Sequence, residues 1–297
     1  MPLTLFSTLP EIPFPRSARR EWQRGGMNFL IYMDISIIIV NYKSKGHTLN
    51  CIKSIRESDF GNLKYEIIVV DNNSGDSIGK ILNWQYPDII FIQAKENKGL
   101  GVGNNVGIKR AQGKYIVVMN PDTIALDNVF EKLYAYMENN LRVGLVGPKQ
   151  LNPDKTIQDS CFRFPGIFTL ISRRTFLGRL KFAKKSIDKY LMKDLDHNFE
   201  KEADWLLGSF MFMRAEALKD IGMFDERFFL YFEDTDLCRR FWKKGWKVVY
   251  YPLAQIIHNH ARESAQIKWY KFFLSTTGRY HFISWLKYLR KWGMGTR

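Results

Sequence analysis

The stretch Asp34-Ile-Ser-Ile-Ile-Ile-Val40 decides the architecture. It is apolar at nearly every position and rich in β-branched side chains, so it reads as a strand covered on both faces. A sheet with one wet face would alternate apolar with polar instead. Tyr65-Glu-Ile-Ile-Val-Val70 and Lys114-Tyr-Ile-Val-Val-Met119 have the same character, and Asp88-Ile-Ile-Phe-Ile92 is a shorter version. Helical patterns lie between them: Leu49, Ile52 and Ile55 share one face, Ile78, Ile81 and Leu82 another, and residues 127–139 form a third. This alternation predicts an α/β fold with a mostly parallel central sheet flanked by helices.

The polar residues fall where the strands stop. Asn41-Tyr42, Asp71-Asn-Asn-Ser74 and Asn120-Pro-Asp122-Thr123 each follow a strand directly. Open α/β sheets bind ligands along that carboxyl edge, so these side chains are expected to converge. Asp122 suits a hard divalent cation such as Mg²⁺ or Mn²⁺ bridging phosphates, which favours carboxylate oxygens. Asn-Pro-Asp-Thr also suits an Asx-turn before helix 127–139. Asp71 can accept from a nucleobase imide or a ribose hydroxyl, or simply close its turn. His258 and His260, one apart after a late strand, offer one metal ligand if Asp122 converges on them, and otherwise belong to a polar loop.

Composition narrows the class. The chain has 297 residues, 45 Lys plus Arg against 30 Asp plus Glu, and a net charge of +15, which favours a polyanionic partner. Cys51, Cys161 and Cys238 are far apart and lack metal spacing, as in packed, reduced thiols of a cytosolic protein. No run approaches the roughly 18 apolar residues of a membrane span. The first 33 residues carry prolines and Arg16, Arg19, Arg20 and Arg24 without a signal-peptide pattern, and read as a disordered extension. Residues 162–193 are basic and read as an insertion or flexible segment. The tail from 265 mixes Trp, Tyr and Phe with Lys and Arg, as in a helix lying on an anionic membrane surface. Nucleic-acid binding would use similar residues, but no nucleic-acid motif accompanies them. Gly99-Leu-Gly101-Val-Gly103 fails as a dinucleotide fingerprint because Asn104 takes the sixth position and the motif follows the third strand, which argues against a nicotinamide oxidoreductase. These glycines read as a turn that lets backbone approach a ligand or a neighbouring strand.

In Phe228-Phe-Leu-Tyr-Phe232-Glu233-Asp234-Thr-Asp236, an aromatic run ends in acids at the start of a helix. Asp234 or Asp236 can cap that helix. A carboxylate beside an apolar pocket can equally be a general base.

Taken in order, these motifs resemble family 2 glycosyltransferases, most closely the rhamnosyltransferase-like branch. Val70-Asp-Asn-Asn-Ser74, Asn97-Lys-Gly-Leu-Gly-Val-Gly-Asn-Asn105, Asn120-Pro-Asp-Thr123, Trp205-Leu-Leu-Gly-Ser-Phe210 and the stretch from Gly222 to Cys238 carry the resemblance. It implies a GT-A fold over residues 34–264, with a nucleotide-sugar half (34–150), an acceptor half (151–264) and the tail beyond. It also implies inverting transfer from a nucleoside-diphosphate sugar to a hydroxyl, here of a lipid-linked glycan in cell-surface polysaccharide synthesis at the inner face of the membrane. By this resemblance Asn41, Tyr42, Asp71, Asn97, Gly99, Asn104, Asn120 and Asp122 bind the donor. Asp122 with His258 or His260 holds the cation, and Asn120 stands where the family's Asp-x-Asp pattern has its first acid. Trp205, Gly208 and Phe210 line the sugar and acceptor region. Asp234 of the Glu233-Asp234 pair is the base. The alternative is an anionic-lipid or nucleic-acid binding protein whose acids only cap helices.

Overall fold

The computed structural model describes residues 33–166, 169, 172, 178, 180–259 and 275–293. Its first strand, β1 (Met33–Asn41), shows how the apolar run is used. Ile35, Ile37 and Ile39 enter one core layer with Cys51, Ile52 and Ile55 of α1 (Lys45–Glu57). Ile38 and Val40 point the other way into a second layer. Alternate side chains leave a strand on opposite faces, so a strand buried twice must be apolar throughout. Each such isoleucine contributes roughly 1.5–3 kcal/mol by leaving water.

The elements that follow are β2 (Tyr65–Asp71), α2 (Ile78–Gln85), β3 (Ile90–Gln93), α3 (Leu100–Arg110), β4 (Gly113–Met119), β5 (Thr123–Ala125), α4 (Val129–Asn139) and β6 (Val143–Leu151). Next come β7 (Ile157–Gln158), β8 (Cys161–Phe162), α5 (Lys181–Tyr190), β9 (Lys201–Glu202), β10 (Trp205–Leu206), β11 (Phe210–Arg214) and α6 (Ala215–Ile221). The last are α7 (Glu233–Lys243), β12 (Lys247–His258) and α8 (Thr276–Trp292). The main sheet runs β3-β2-β1-β4-β11-β6-β12-β5. Strands β1 to β4 pair in parallel, as does β6 with β12, whereas β11 lies antiparallel between β4 and β6.

The run from 204 to 214 is two strands, β10 and β11, separated by a turn at 207–209. The last strand, β12, continues to His258 across an irregularity between Tyr251 and Gln255. One expectation needs correction. The basic segment contains a helix, α5, anchored by buried Ala183 and Tyr190 with Lys181, Lys184, Lys185 and Lys189 exposed. The proposed extension, apart from Met33, lies outside the described residues, as does His260.

Buried Arg214 locks α4 to the sheet. Its guanidinium donates to the Met137, Asn140 and Val143 carbonyls and to the Tyr115 hydroxyl. The Met137 and Asn140 carbonyls also accept from the Asn140 and Val143 N–H groups, and positive charge is favoured at this end of the helix.

Candidate active site

The carboxyl edge of the parallel strands carries the first cluster. Asn41, Asp71 and Gln93 end β1, β2 and β3 in direct register. Asn41 Nδ2 donates to Asp71 Oδ1 at 2.7 Å and to Asp76 Oδ2 at 3.0 Å. The Asn41 carbonyl oxygen Oδ1 accepts from Ser44 and Thr48. Asp71 also accepts from the Ser74 hydroxyl and backbone N–H and from Gln93 Nε2 at 2.8 Å. Burial pushes the Asp71 carboxyl up, but the bonds from Ser74, Asn41 and Gln93 outweigh it and hold it below its ordinary value. Asp71 is therefore a fixed anion whose lone pairs are largely used within the fold. Tyr42, the residue after Asn41, is 45% exposed. A groove lined by Lys43, Ser44, Lys45, His47, Asn50 and Asp76 opens at the start of α1.

The glycine-rich stretch closely approaches the backbone of Phe229. Gly99 has φ of 104°, and a Cβ there would lie 2.3 Å from the carbonyl oxygen of Phe229. Leu100 N–H donates to that same oxygen at 3.0 Å. Asn72 Nδ2 donates to Asn97 Oδ1 and to the Gly99 carbonyl. Asn105 exchanges two hydrogen bonds with the backbone of Phe224, each of 2.9 Å. The loop after β3 is thus sewn to the segment that delivers Glu233 and Asp234. Asn104 is buried within α3.

The phosphate-side residues follow β4. Asp122 Oδ1 lies 3.5 Å from His258 Nε2, because His258 ends β12 in register with Thr123. His258 is buried and its Nδ1 lies 2.7 Å from Gln158 Oε1. Two donors of this kind, one carboxylate and one imidazole, fit an Mg²⁺ or Mn²⁺ that draws its remaining ligands from phosphate and water. Among the described residues no three His, Cys, Asp or Glu side chains come together as a metal cage.

The acid pair opens α7. Neither Asp234 nor Asp236 is the N-cap: that position is Phe232, with φ of 67°, preceded by Tyr231 with φ of 69°. Two successive bulky residues in the left-handed region are strained, at about 1–3 kcal/mol each, and persist only because their surroundings hold them. Asp234 accepts from Thr235 N–H at 2.7 Å and from Gly208 N–H at 3.0 Å. A Cβ on residue 208 would stand 3.1 Å from the Asp234 Cβ, so glycine allows this approach. A helix start favours an ionised carboxylate, but burial dominates here and pushes both acids up. For Asp234 the bonds from Thr235 and Gly208 pull against burial. For Glu233 burial is joined by the repulsion of Asp234, and its Oε2 is buried with no hydrogen-bond partner among the described residues.

The other residues expected at the sugar face inward. Phe210 is fully buried and packs against Phe130, and Trp205 is buried, stacked on Phe162 at 4.2 Å, with its Nε1 donating to the Arg163 carbonyl. Of that group, Gly208 abuts Asp234. Sequence reasoning missed Gln93, Gln158, Ser209 and Phe229. The alignment of Gln93 with Asp71 at a strand end was a usable signal; the others depend on tertiary contacts.

A family model described as glycosyltransferase-like family 2 matches residues 33–271. The chain belongs to this family. As a family 2 glycosyltransferase it is 26% identical over 211 residues to N-acetylglucosaminyl-diphospho-decaprenol L-rhamnosyltransferase of Mycobacterium tuberculosis, covering 67% of this chain and 68% of that one. It is 26% identical over 257 residues to the Escherichia coli rhamnosyltransferase WbbL, covering 83% and 92%. Its fold is similar to that of GalNAc-T7 solved with UDP, GalNAc and Mn²⁺, with TM-score 0.59 and 12% identity over 90% of this chain and 55% of that one. It is also similar to a Pyrobaculum calidifontis mannosyltransferase solved with GDP-Man and Mn²⁺, with TM-score 0.56 and 16% identity over 92% and 70%. The fold is GT-A.

Proposed function

We propose that this glycosyltransferase moves a hexose, with inversion, from a nucleoside-diphosphate sugar to a hydroxyl of a lipid-linked glycan, with Asp234 as general base. One observation carries the reading. The consecutive residues Gly208 and Ser209 join both sides of the reaction: Ser209 accepts from Asn120 N–H at 2.8 Å, and Gly208 donates to Asp234 Oδ2. The phosphate-side loop and the base are thus held by one turn, as in-line displacement needs.

The chemistry follows from the acid pair. Coupled carboxyls buried together do not both ionise easily. Glu233, with an oxygen that has no partner among the described residues, holds the proton, while Asp234, supported by two N–H groups, holds the charge. Asp234 then takes the proton of the acceptor hydroxyl as its oxygen bonds to the anomeric carbon. The bond from that carbon to the diphosphate breaks, and the diphosphate leaves with the electron pair. Asp122 and His258 would hold a divalent cation, which supplies charge stabilisation to the departing diphosphate. Asn41, Tyr42, Asn97 and Gly99 frame the donor site. A nucleobase reaching Asp71 displaces the amide of Gln93, the most exposed of its donors.

The acceptor class draws on the decaprenol-linked substrate in the mycobacterial relative's name and on α8. Arg279, Ile283, Leu286 and Arg290 are exposed at spacings that place them on one face of that helix. Two apolar residues flanked by arginines suit an anionic membrane surface. No helix among the described residues is long and apolar enough to cross a membrane. The test is a thermal-shift screen of nucleoside-diphosphate sugars with and without Mn²⁺, followed by transfer assays on Asp234→Asn. The variant should keep the donor-induced shift and lose transfer. Full transfer by Asp234→Asn would remove the base assignment.

A further inference from the structure

The hairpin joining β6 to β7 carries a directed chain of hydrogen bonds that ends at His258. It starts at the exposed Asp154 carboxylate, which accepts from the Thr156 hydroxyl at 2.6 Å. An ionised carboxylate only accepts, so the single hydroxyl proton of Thr156 is committed to Asp154. The Thr156 oxygen must then accept from its other neighbour, which makes the Asn152 group at 2.8 Å its amide nitrogen. That orientation turns the Asn152 carbonyl oxygen to Gln158, whose Nε2 donates to it at 3.2 Å. Gln158 in turn presents Oε1 to His258 Nδ1 at 2.7 Å. Each amide orientation follows from the one before it, and the polarity is set at the carboxylate.

We propose that Asp154, Thr156, Asn152 and Gln158 form a relay that holds a proton on His258 Nδ1, so that in the singly protonated ring Nε2 carries the lone pair and faces Asp122. Gln158 is the positioning residue: it is buried, and it acts through His258 rather than on substrate. The consequence for catalysis rests on the reading of Asp122 and His258 as the cation-facing pair; the tautomer does not. A ligating imidazole is ordinarily oriented by a hydrogen bond from its other nitrogen. Here the partner is a neutral amide whose own orientation is inherited from a surface carboxylate 104 positions earlier in the chain than His258 (258 minus 154).

The relay is tested by long-range ¹H–¹⁵N NMR of the full chain labelled at histidine, without metal, alongside EPR titration with Mn²⁺ alone. Wild type should show His258 protonated on Nδ1. Gln158→Met removes the acceptor and should move His258 towards the Nε2–H form. Gln158→Glu keeps an acceptor and should keep the Nδ1–H form. Thr156→Val, at an exposed site, should shift the population in the same direction as Gln158→Met without disturbing the interior. Mn²⁺ affinity should fall about 10- to 100-fold in Gln158→Met and recover in Gln158→Glu. An Nε2–H wild type, or a folded Gln158→Met with an unchanged tautomer, overturns the relay. A changed tautomer with unchanged Mn²⁺ affinity upholds the relay and overturns the cation-facing role of His258. If Gln158→Met does not fold, an unchanged tautomer in Thr156→Val overturns the relay by itself.

Discussion

Replacing Asp236 by asparagine tests whether α8 supports the loop that presents the acids. Asp236 is fully buried, and its carboxylate meets Arg240 Nε at 2.9 Å, Lys291 Nζ at 2.6 Å and Trp292 Nε1 at 2.7 Å. The last two partners lie on α8, which also donates from Ser284 to the Leu230 carbonyl and packs Tyr288 against Phe228 and Phe232. Breaking a buried ion pair from one side costs about 3–5 kcal/mol. The cost here is reduced because the Arg240 and Lys291 side chains are 15% and 21% exposed and Lys291 keeps Asp225 at 2.7 Å. We expect about 2–4 kcal/mol, which lowers Tm by roughly 5–15 °C in a unit of this size. In limited trypsinolysis, cleavage at Lys287 and Arg290 should accelerate. Transfer should fall even below the unfolding transition, because Tyr231 and Phe232 lose the packing that holds their strained backbone. The Asp236→Asn, Lys291→Met cycle should show a favourable coupling. An unchanged Tm with unchanged protease resistance would refute the reasoning.

The remaining expectations concern the loop, the acid pair and the scaffold. Gly99→Ala should cost about 2–4 kcal/mol from left-handed strain and the disturbed bond to Phe229, and should depress transfer more than donor binding, as read from kcat and the donor-induced thermal shift. Glu233 has a folded pKa pushed up to about 8 by burial and by Asp234, so the folded state retains a proton the unfolded chain releases. Its contribution is full below the unfolded value of 4.5 and is lost as pH rises towards about 8. Denaturant titrations should therefore find a flatter loss of stability across that window in Glu233→Gln than in wild type. Arg214→Met should destabilise by about 1–3 kcal/mol, since three carbonyls and the Tyr115 hydroxyl lose a charged donor while the Met137 and Asn140 carbonyls keep a backbone one; an unshifted denaturation midpoint would show that the guanidinium bonds add nothing to stability.

The parallel strands were legible because Ile35 to Val40, interrupted only by Ser36, and Ile67 to Val70 carry a local signal: a run that is apolar on both faces has to be covered twice. The strand-end residues Asn41 and Asp71 were legible for the same reason, and the structure brings them into contact. The direction of β11 was not, because Phe210 to Arg214 reads alike in either orientation and its neighbours are about a hundred or about seventy residues away. Trp205 and Phe210 belong to a motif whose order suggested a sugar site; their stacking on Phe162 and Phe130 depends on partners distant in sequence. The resemblance alone preferred Asp234 to Glu233. The two N–H groups on Asp234 now supply a physical reason, and no spacing rule could have placed Gly208 beside it.

The position of β11 bears on how the chain acquires its shape. A strand from beyond residue 209 fills the gap between β4 and β6, both of which were synthesised earlier. Until it arrives, each exposes a long apolar edge of unpaired N–H and C=O groups, a template for association with other chains. The two halves suggested by the sequence are therefore not independent folding units. A fragment ending near residue 150 should aggregate rather than bind nucleotide, and the whole chain should fold slowly, because its central pairing closes only after very long loops. Any engineering that exchanges acceptor halves between relatives has to carry β11 with its two neighbours, or the graft will leave the middle of the sheet open.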